Sequence, residues 1–258
     1  MTLYNRLRQN VSQVYKWLRS IFFKIIKWAQ SVKIICYAAY RSGVQRLAWI
    51  LTYVENCQGG YESFKRKMPF DHKNAPLPWY TYPAIEYLQH LDFSKCDVFE
   101  YGSGNSSKFW ASRANSVTSV ESDASWYKKG AEELFPDQDI TLKVDKEEYV
   151  NAIHNKGVLY EVIVVDGIYR YNCVVEALKK IQAGGIIILD NSERTPNAAK
   201  LLRENGFTQI DFIGMGPINS YAWCTSVFYK GHISIPRKSE NINVIGGIVN
   251  ISDEDVLV

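Results

Sequence analysis

Glu100 closes the apolar run Val98-Phe99-Glu100, and Tyr101-Gly102-Ser103-Gly104-Asn105-Ser106-Ser107 follows as a glycine-rich turn opening into a helix. Glycines let the main chain come close to a ligand, and the amides at a helix start attract negative groups. That is nucleotide-site chemistry. Twenty-one residues past Glu100, the run Val117-Thr118-Ser119-Val120 ends in Glu121, a spacing that suits an acid at the next strand tip accepting hydrogen bonds from ribose hydroxyls. A dinucleotide-binding G-x-G-x-x-G would need glycine at 107, where Ser107 stands, so a hydride-transfer reading is poorly supported.

These residues need strand ends to hold them. Strand signals fall near 97–100, 116–121, 140–144, 162–165, 186–189, 209–213 and 223–229, and helical signals near 106–113, 124–134, 146–154, 171–182 and 196–204. Continuous runs such as Val162-Ile163-Val164-Val165 and Ile186-Ile187-Ile188-Leu189 suit strands covered on both faces, so the alternation predicts a mostly parallel sheet between helices. Gly214, Gly216 and Pro217 stand where a helix would join the last two strands, which are therefore expected to pair antiparallel. Pro83 suits the first turn of a helix reaching about His90. The turn formers of 57–80, from Cys57-Gln58-Gly59-Gly60 to Pro76-Leu77-Pro78, read as a linker, and 231–258 as a polar, peripheral C-terminal tail.

With 258 residues, 47% of them hydrophobic, the chain can build one α/β core and an appendage. The net charge of +3 is unevenly spread: residues 1–54 hold nine of the 30 Lys/Arg and none of the 27 Asp/Glu, leaving 21 basic against 27 acidic residues beyond. The two parts are expected to meet different partners. Val11, Val14, Leu18, Ile21, Phe22, Ile25 and Trp28 recur with helical spacing among Lys16, Arg19, Lys24 and Lys27, and a second helical stretch runs from about Val32 to Val54. Residues 1–56 thus read as a basic amphipathic helical extension. It is expected either to lie on a membrane surface, with Trp17, Trp28 and Trp49 at headgroup level, or to dock on protein. No apolar stretch reaches the roughly 18 residues of a spanning helix, and the lysines interrupt any signal-peptide centre. Neither a transmembrane helix nor a secretory signal is expected.

The five cysteines, at 36, 57, 96, 173 and 224, are odd in number and form no C-x-x-C pair. They argue against a disulfide framework or a zinc site and read as reduced thiols of a cytoplasmic protein, with Cys173 and Cys224 in the core. His72, His90, His154 and His232 show no ligand spacing.

Taken in order, Glu100-Tyr101-Gly102-Ser103-Gly104-Asn105-Ser106, Glu121, Val165-Asp166-Gly167 and Gly184 through Asn191 resemble the class I methyltransferases that use S-adenosyl-L-methionine, over roughly Trp79 to Tyr229. Ser106 stands where a third glycine is common in that family. The resemblance implies an α/β, Rossmann-like three-layer sandwich with a seven-stranded, mostly parallel sheet whose last strand is antiparallel. The N-terminal helical extension would precede it, and 81–230 would be the methyltransferase domain. S-adenosyl-L-methionine is then the cofactor and a small-molecule or membrane-associated acceptor the partner, methylated at oxygen. Nucleic acid is not expected, because the catalytic part is net negative.

The resemblance also implies roles. Glu100 would stand beside the cofactor's amino-acid end and favour its cationic groups, while Gly102, Ser103, Gly104 and Ser106 approach it closely. Glu121 would bind the ribose; Ser122 or Asp123, with Asp145, would lie beside the adenine, and Asp166 would face the methyl. Asp123 and Asp145 equally suit helix caps. Asp166 and Asp190 are expected as catalytic carboxylates that take the acceptor's proton, and Asn191 and Tyr82 as acceptor contacts. Asp166, Asp190 and Asn191 further resemble the set that holds a divalent cation in metal-dependent catechol-type O-methyltransferases. The lysine usual three residues after the first Asp is Tyr169 here, with Arg170 next, so a cation stands open beside solvent-bridged hydrogen bonding. Trp79-Tyr80-Thr81-Tyr82-Pro83 suits an aromatic lid or packing onto the sheet, and Asn219, Tyr221 and Trp223 an acceptor wall or surface packing. The alternative is a methyltransferase-fold scaffold without turnover that acts through its basic helices.

Overall fold

The seven apolar runs pair into one sheet: β1 (Asp97–Tyr101), β2 (Ser116–Glu121), β3 (Gln138–Leu142), β4 (Tyr160–Val165), β5 (Ile181–Asp190), β6 (Thr208–Gly214) and β7 (Trp223–Tyr229). The computed structural model describes residues 13, 16–24, 40, 43–131 and 138–239. Strand order is β3-β2-β1-β4-β5-β7-β6. β1 to β5 pair parallel and β7 runs antiparallel to both its neighbours, as expected. The surrounding helices are α1 (Gly60–Arg66), α2 (Tyr82–Gln89), α3 (Asn105–Ala111), α4 (Ala124–Ala131), α5 (Lys146–Asn151), α6 (Arg170–Ala177) and α7 (Pro196–Glu204).

Strand alternation divides the core between the two sheet faces. Val98, Val162, Val164, Ile186 and Ile188 pack with Phe109 and Trp110 of α3. Phe99, Tyr101, Ile163, Val165, Ile187 and Leu189 pack on the other face with Tyr149, Val174 and Leu202. Each fully buried Val or Ile is worth roughly 1.5–3 kcal/mol relative to exposure. The same parity puts Glu100 on the Val98 face, beneath α3.

Several boundaries differ from the sequence reading. β3 begins at Gln138, ahead of 140. β5 begins at Ile181 rather than 186, so α6 stops at Ala177; the left-handed Gly184 (φ +77) and a register shift between Tyr160 and Val162 let the strand absorb its glycines. Residues 132–134 of the helix expected at 124–134 lie outside the described residues.

The segment 57–80 is not an open linker. Its turn formers start and stop α1, with Gly59 left-handed at the N-cap. Ser63 Oγ then donates to Phe70 O and accepts from Phe70 N, both at 2.9 Å, a bridge joins Phe70 to Pro76, and Leu77 and Tyr80 are buried. The start of the expected tail is likewise fastened: Ser234 N donates to Gly184 O (2.8 Å), Asp92 N to Pro236 O (2.8 Å) and Lys238 N to His90 O (2.9 Å), over a buried Ile235. Residues 240–258 lie outside the described residues.

The chain divides into two units, 1–56 and 57–258. In the first, residues 16–24 are helical and a further helix, Val44–Gln58, begins. Val11, Val14, Ile25, Lys27 and Trp28 of the expected amphipathic helix, Cys36, and the Cys57 side chain lie outside the described residues. Cys96, Cys173 and Cys224 are buried free thiols.

Candidate functional site

After β1 the chain turns to β2 and β3 on one side; after β4 it turns to β5 on the other. The connections diverge at this switch point and leave a crevice at the strands' C-terminal ends. A cavity of about 440 Å³ opens there, within the usual range for small-molecule sites. Its walls are the turn 102–106, the residues Glu121 to Asp123 after β2, Asp166 to Ile168 after β4, and Asp190, Asn191 and Arg194 after β5. Asn219, Tyr221 and Trp223 close the β7 side, and Trp79 and Trp126 add aromatic edges.

The cavity floor is main chain. Gly102 is left-handed (φ +91), and a Cβ on it would lie 3.1 Å from Gly167 Cα; one on Gly167 would lie 3.0 Å from Gly102 N and 1.9 Å from Tyr149 Oη. The β1 and β4 turns therefore touch through two residues without side chains. A Cβ on Gly104 would meet open space, so the groove beside it is free for a ligand.

Glu121 holds this turn in place. Its Oε2 accepts from Ser103 N (2.8 Å) and Ser103 Oγ (3.2 Å), and its Oε1 from Ser122 N (2.7 Å) and Asp123 N (2.8 Å). Only 7% of the residue is exposed, on the cavity wall. The sequence reading found Glu121 but not its second task, which is to tie the glycine turn to the β2 tip.

Gly102, Ser103, Gly104, Ser106, Glu121, Ser122, Asp166, Asp190 and Asn191 all line the cavity, as does Asp123. Three expected site residues do not. Glu100 is fully buried behind the turn, on the α3 face, where its Oε2 accepts from Ser107 Oγ and from Ser119 Oγ (2.9 Å). Burial drives its carboxyl up to about 7, with the Ser106, Ser107 and Ser119 bonds opposing. Asp145 caps α5, its Oδ1 accepting from Glu147 N (2.9 Å) and Glu148 N (3.0 Å). Tyr82 belongs to the packing between α2 and the sheet: its N donates to Met215 O (2.8 Å) and its ring joins the core on the Val98 face. Of the expected aromatic lid only Trp79 reaches the cavity. Tyr80 and Thr81 are buried, and Thr81 bonds Thr225 Oγ1 (3.0 Å) and Phe212 O (2.9 Å).

At the β4 and β5 tips stand Asp166 and Asp190. Asp190 is 3% exposed, and its Oδ1 accepts from Trp223 Nε1 (3.0 Å) and from Thr225 Oγ1. Burial, then the facing Asp190 charge, raises the Asp166 carboxyl well above the ordinary aspartate range, with Arg170 opposing. Burial likewise raises Asp190, against the bonds from Thr225 and Trp223. Because the Asp190 charge opposes ionisation of Asp166, the two carboxylates disfavour carrying full charge together.

No family model and no curated protein matches this chain. Solved structures similar to it include an rRNA methylase from Streptococcus thermophilus (14% identity, 58% of this chain and 97% of that one, TM-score 0.43). They also include the N-methyltransferase NodS from Bradyrhizobium japonicum (11%, 56% and 92%, 0.42) and precorrin-6y C5,15-methyltransferase from Geobacter metallireducens (10%, 65% and 96%, 0.47). Likeness this distant assigns no cofactor or acceptor; the site's own groups must carry that.

The sequence reading gave Arg170 no role, yet it is the best-anchored cation beside the cavity. Its Nε donates to Gly167 O (2.9 Å), one terminal nitrogen to Asp190 O, and the other to Asp166 Oδ1 (3.1 Å) and Asp166 O (3.3 Å). A positively charged residue four positions after an acid at a strand end was the available signal. Arg194, also without an expected role, lines the outer cavity, pairs with Glu193 (3.2 Å) and lies over the Tyr221 ring (5.6 Å).

Proposed function

We propose that the protein is an S-adenosyl-L-methionine-dependent methyltransferase acting at oxygen on a small-molecule acceptor. The observation that carries the reading is the glycine turn tied to Glu121 at the switch point, opening on a cavity whose far wall holds two carboxylates. The residues present fit the cofactor: Gly104 leaves room along the turn, Glu121 lines the cavity with a carboxylate that would meet a ribose diol, and Ser122 and Asp123 on the same wall would read an adenine edge. When bound, the cofactor would supply a methyl carbon activated on a sulfonium, with the thioether as leaving group. Asp166 and Asp190 supply the other half, since the ionised member can receive the hydroxyl proton. Asn191, Asn219 and Tyr221 orient the acceptor beside them. Carboxylates on the cavity wall disfavour a phosphate-rich acceptor.

Calorimetric titration with S-adenosylhomocysteine tests the reading. Saturable one-to-one binding in the micromolar range is expected; absence of heat at millimolar ligand with folded protein overturns it.

For residues 1–54 we propose peripheral contact with an anionic membrane surface on the cytoplasmic side. Trp17, Leu18 and Phe22 are exposed within the helical stretch that carries Lys16, Arg19 and Lys24, and Leu47, Trp49 and Ile50 are exposed on the helix Val44–Gln58. No described helix is long and apolar enough to cross a membrane. Cosedimentation with phosphatidylglycerol vesicles should exceed that with phosphatidylcholine vesicles and fall on joint Lys16→Glu, Arg19→Glu and Lys24→Glu substitution. Equal sedimentation with both lipids would refute the contact.

A further inference from the structure

The groups at the β4 and β5 tips carry more than a pair of bases. Arg170 opens α6, directly after the left-handed Tyr169 (φ +52) that turns the chain off β4. Its side chain is 16% exposed and that of Asp166 21%. Among the described residues the guanidinium donates to the two strand ends: the Gly167, Asp190 and Asp166 carbonyls and the Asp166 carboxylate. A planar fork of five donors suits this pattern, and a lysine's compact ammonium could not span it. The guanidinium therefore pins β4 to β5 and sets a permanent positive charge against the carboxylate that a cation would use first.

Asp166, Asp190 and Asn191 do not fit a divalent cation under these conditions. An ion bound to Asp166 would stand next to a fixed like charge, in a site where burial weakens screening. Asp190 has one oxygen already committed to Trp223 and Thr225, which leaves it a single oxygen to offer. Tyr169 does not supply the missing lysine: its ring is 41% exposed and lies under the Lys146 ammonium at 5.3 Å.

We propose that Arg170 is a built-in counter-cation that occupies the electrostatic place of a divalent metal, holding the two carboxylate-bearing strand ends and making methyl transfer at this site metal-independent. Arg170 is a positioning residue: it acts through Asp166 and Asp190 and does not itself meet the reacting atoms. The role in transfer rests on the proposed function; the exclusion of a divalent ion does not.

Two separate readouts on the full chain distinguish these. Manganese(II) alone is titrated and followed by electron paramagnetic resonance, while S-adenosylhomocysteine binding is followed by calorimetry with and without a chelator. The wild-type chain is expected to leave the free manganese signal undiminished at millimolar ion, and its S-adenosylhomocysteine affinity to be unchanged by the chelator. Arg170→Met, checked for folding by circular dichroism, frees the carboxylates and should bind manganese about tenfold or more tightly than wild type, a gain that Asp166→Asn in the same background removes. A merely structural arginine would give no such gain. If Arg170→Met does not fold, Arg170→Gln carries the test, because its amide keeps donors for the strand-end carbonyls while removing the charge, and it should show the same gain in manganese binding. Uptake of manganese by the wild-type chain, abolished by Asp166→Asn, overturns the proposal, as does a folded Arg170→Met that gains no manganese binding. Loss of S-adenosylhomocysteine binding alone would strike the cofactor reading and leave the counter-cation result standing.

Discussion

Glu100→Gln is expected to make the protein more stable at pH 8 by about 3 kcal/mol, with little effect at pH 4. The carboxyl is fully buried, and its folded-state value of about 7 stands above the ordinary 4.5. An acid raised on folding binds more protons in the native state between those two values, so stability is greatest below about 4.5 and declines as pH rises through about 7. Above that, the native chain carries a buried charge whose accepted bonds, from Ser107 and Ser119, only partly offset its desolvation. The glutamine oxygen can accept from the same two hydroxyls without the charge. Urea unfolding at pH 4, 6 and 8 checks this. Parallel stability curves for the two proteins would show that Glu100 does not titrate on folding.

Glu121→Ala should weaken S-adenosylhomocysteine binding by roughly 1–3 kcal/mol, or about 5- to 150-fold, the usual cost of deleting a buried hydrogen-bonding partner. The same change removes the acceptor for Ser103 N, Ser103 Oγ, Ser122 N and Asp123 N, so thermal stability should fall with it. Calorimetry beside thermal melting reads both, and wild-type affinity in folded Glu121→Ala would remove Glu121 from the cofactor site.

The sheet was legible because its runs are long enough to show which residues are covered. Val162 through Val165 and Ile186 through Leu189 are buried on alternating faces throughout, and no competing helical period disturbs them. Glu121 was legible for a related reason: it is the last residue of β2, so its side chain meets the crevice. Glu100 was misplaced because it looks terminal but is penultimate in β1, and parity sends it the way of Val98. That parity was in the sequence. So was the fate of Asp145, since Asp145-Lys146-Glu147-Glu148 has the form of a helix start with acids in the first turn. Arg170 could not be assigned from spacing alone, because its partners include carbonyls of Gly167 and Asp190 that only pairing of β4 with β5 brings together. The 57–80 segment shows the limit of turn formers as evidence: they mark changes of direction, and here successive changes fold back through Ser63 and Phe70 instead of spanning a gap.

The contact between Gly102 and Gly167 divides the site into a fixed seat and a changeable rim. Any side chain at either position meets the opposite turn or the Tyr149 hydroxyl, whereas Asn191 and Arg194, from the connection after β5, and Asn219 and Tyr221, from the connection between β6 and β7, line the cavity at its rim. Re-targeting this scaffold by laboratory evolution thus has a defined search space: diversity at those four rim positions can alter acceptor choice, while variants at the two seat positions would mostly be discarded before selection for activity begins.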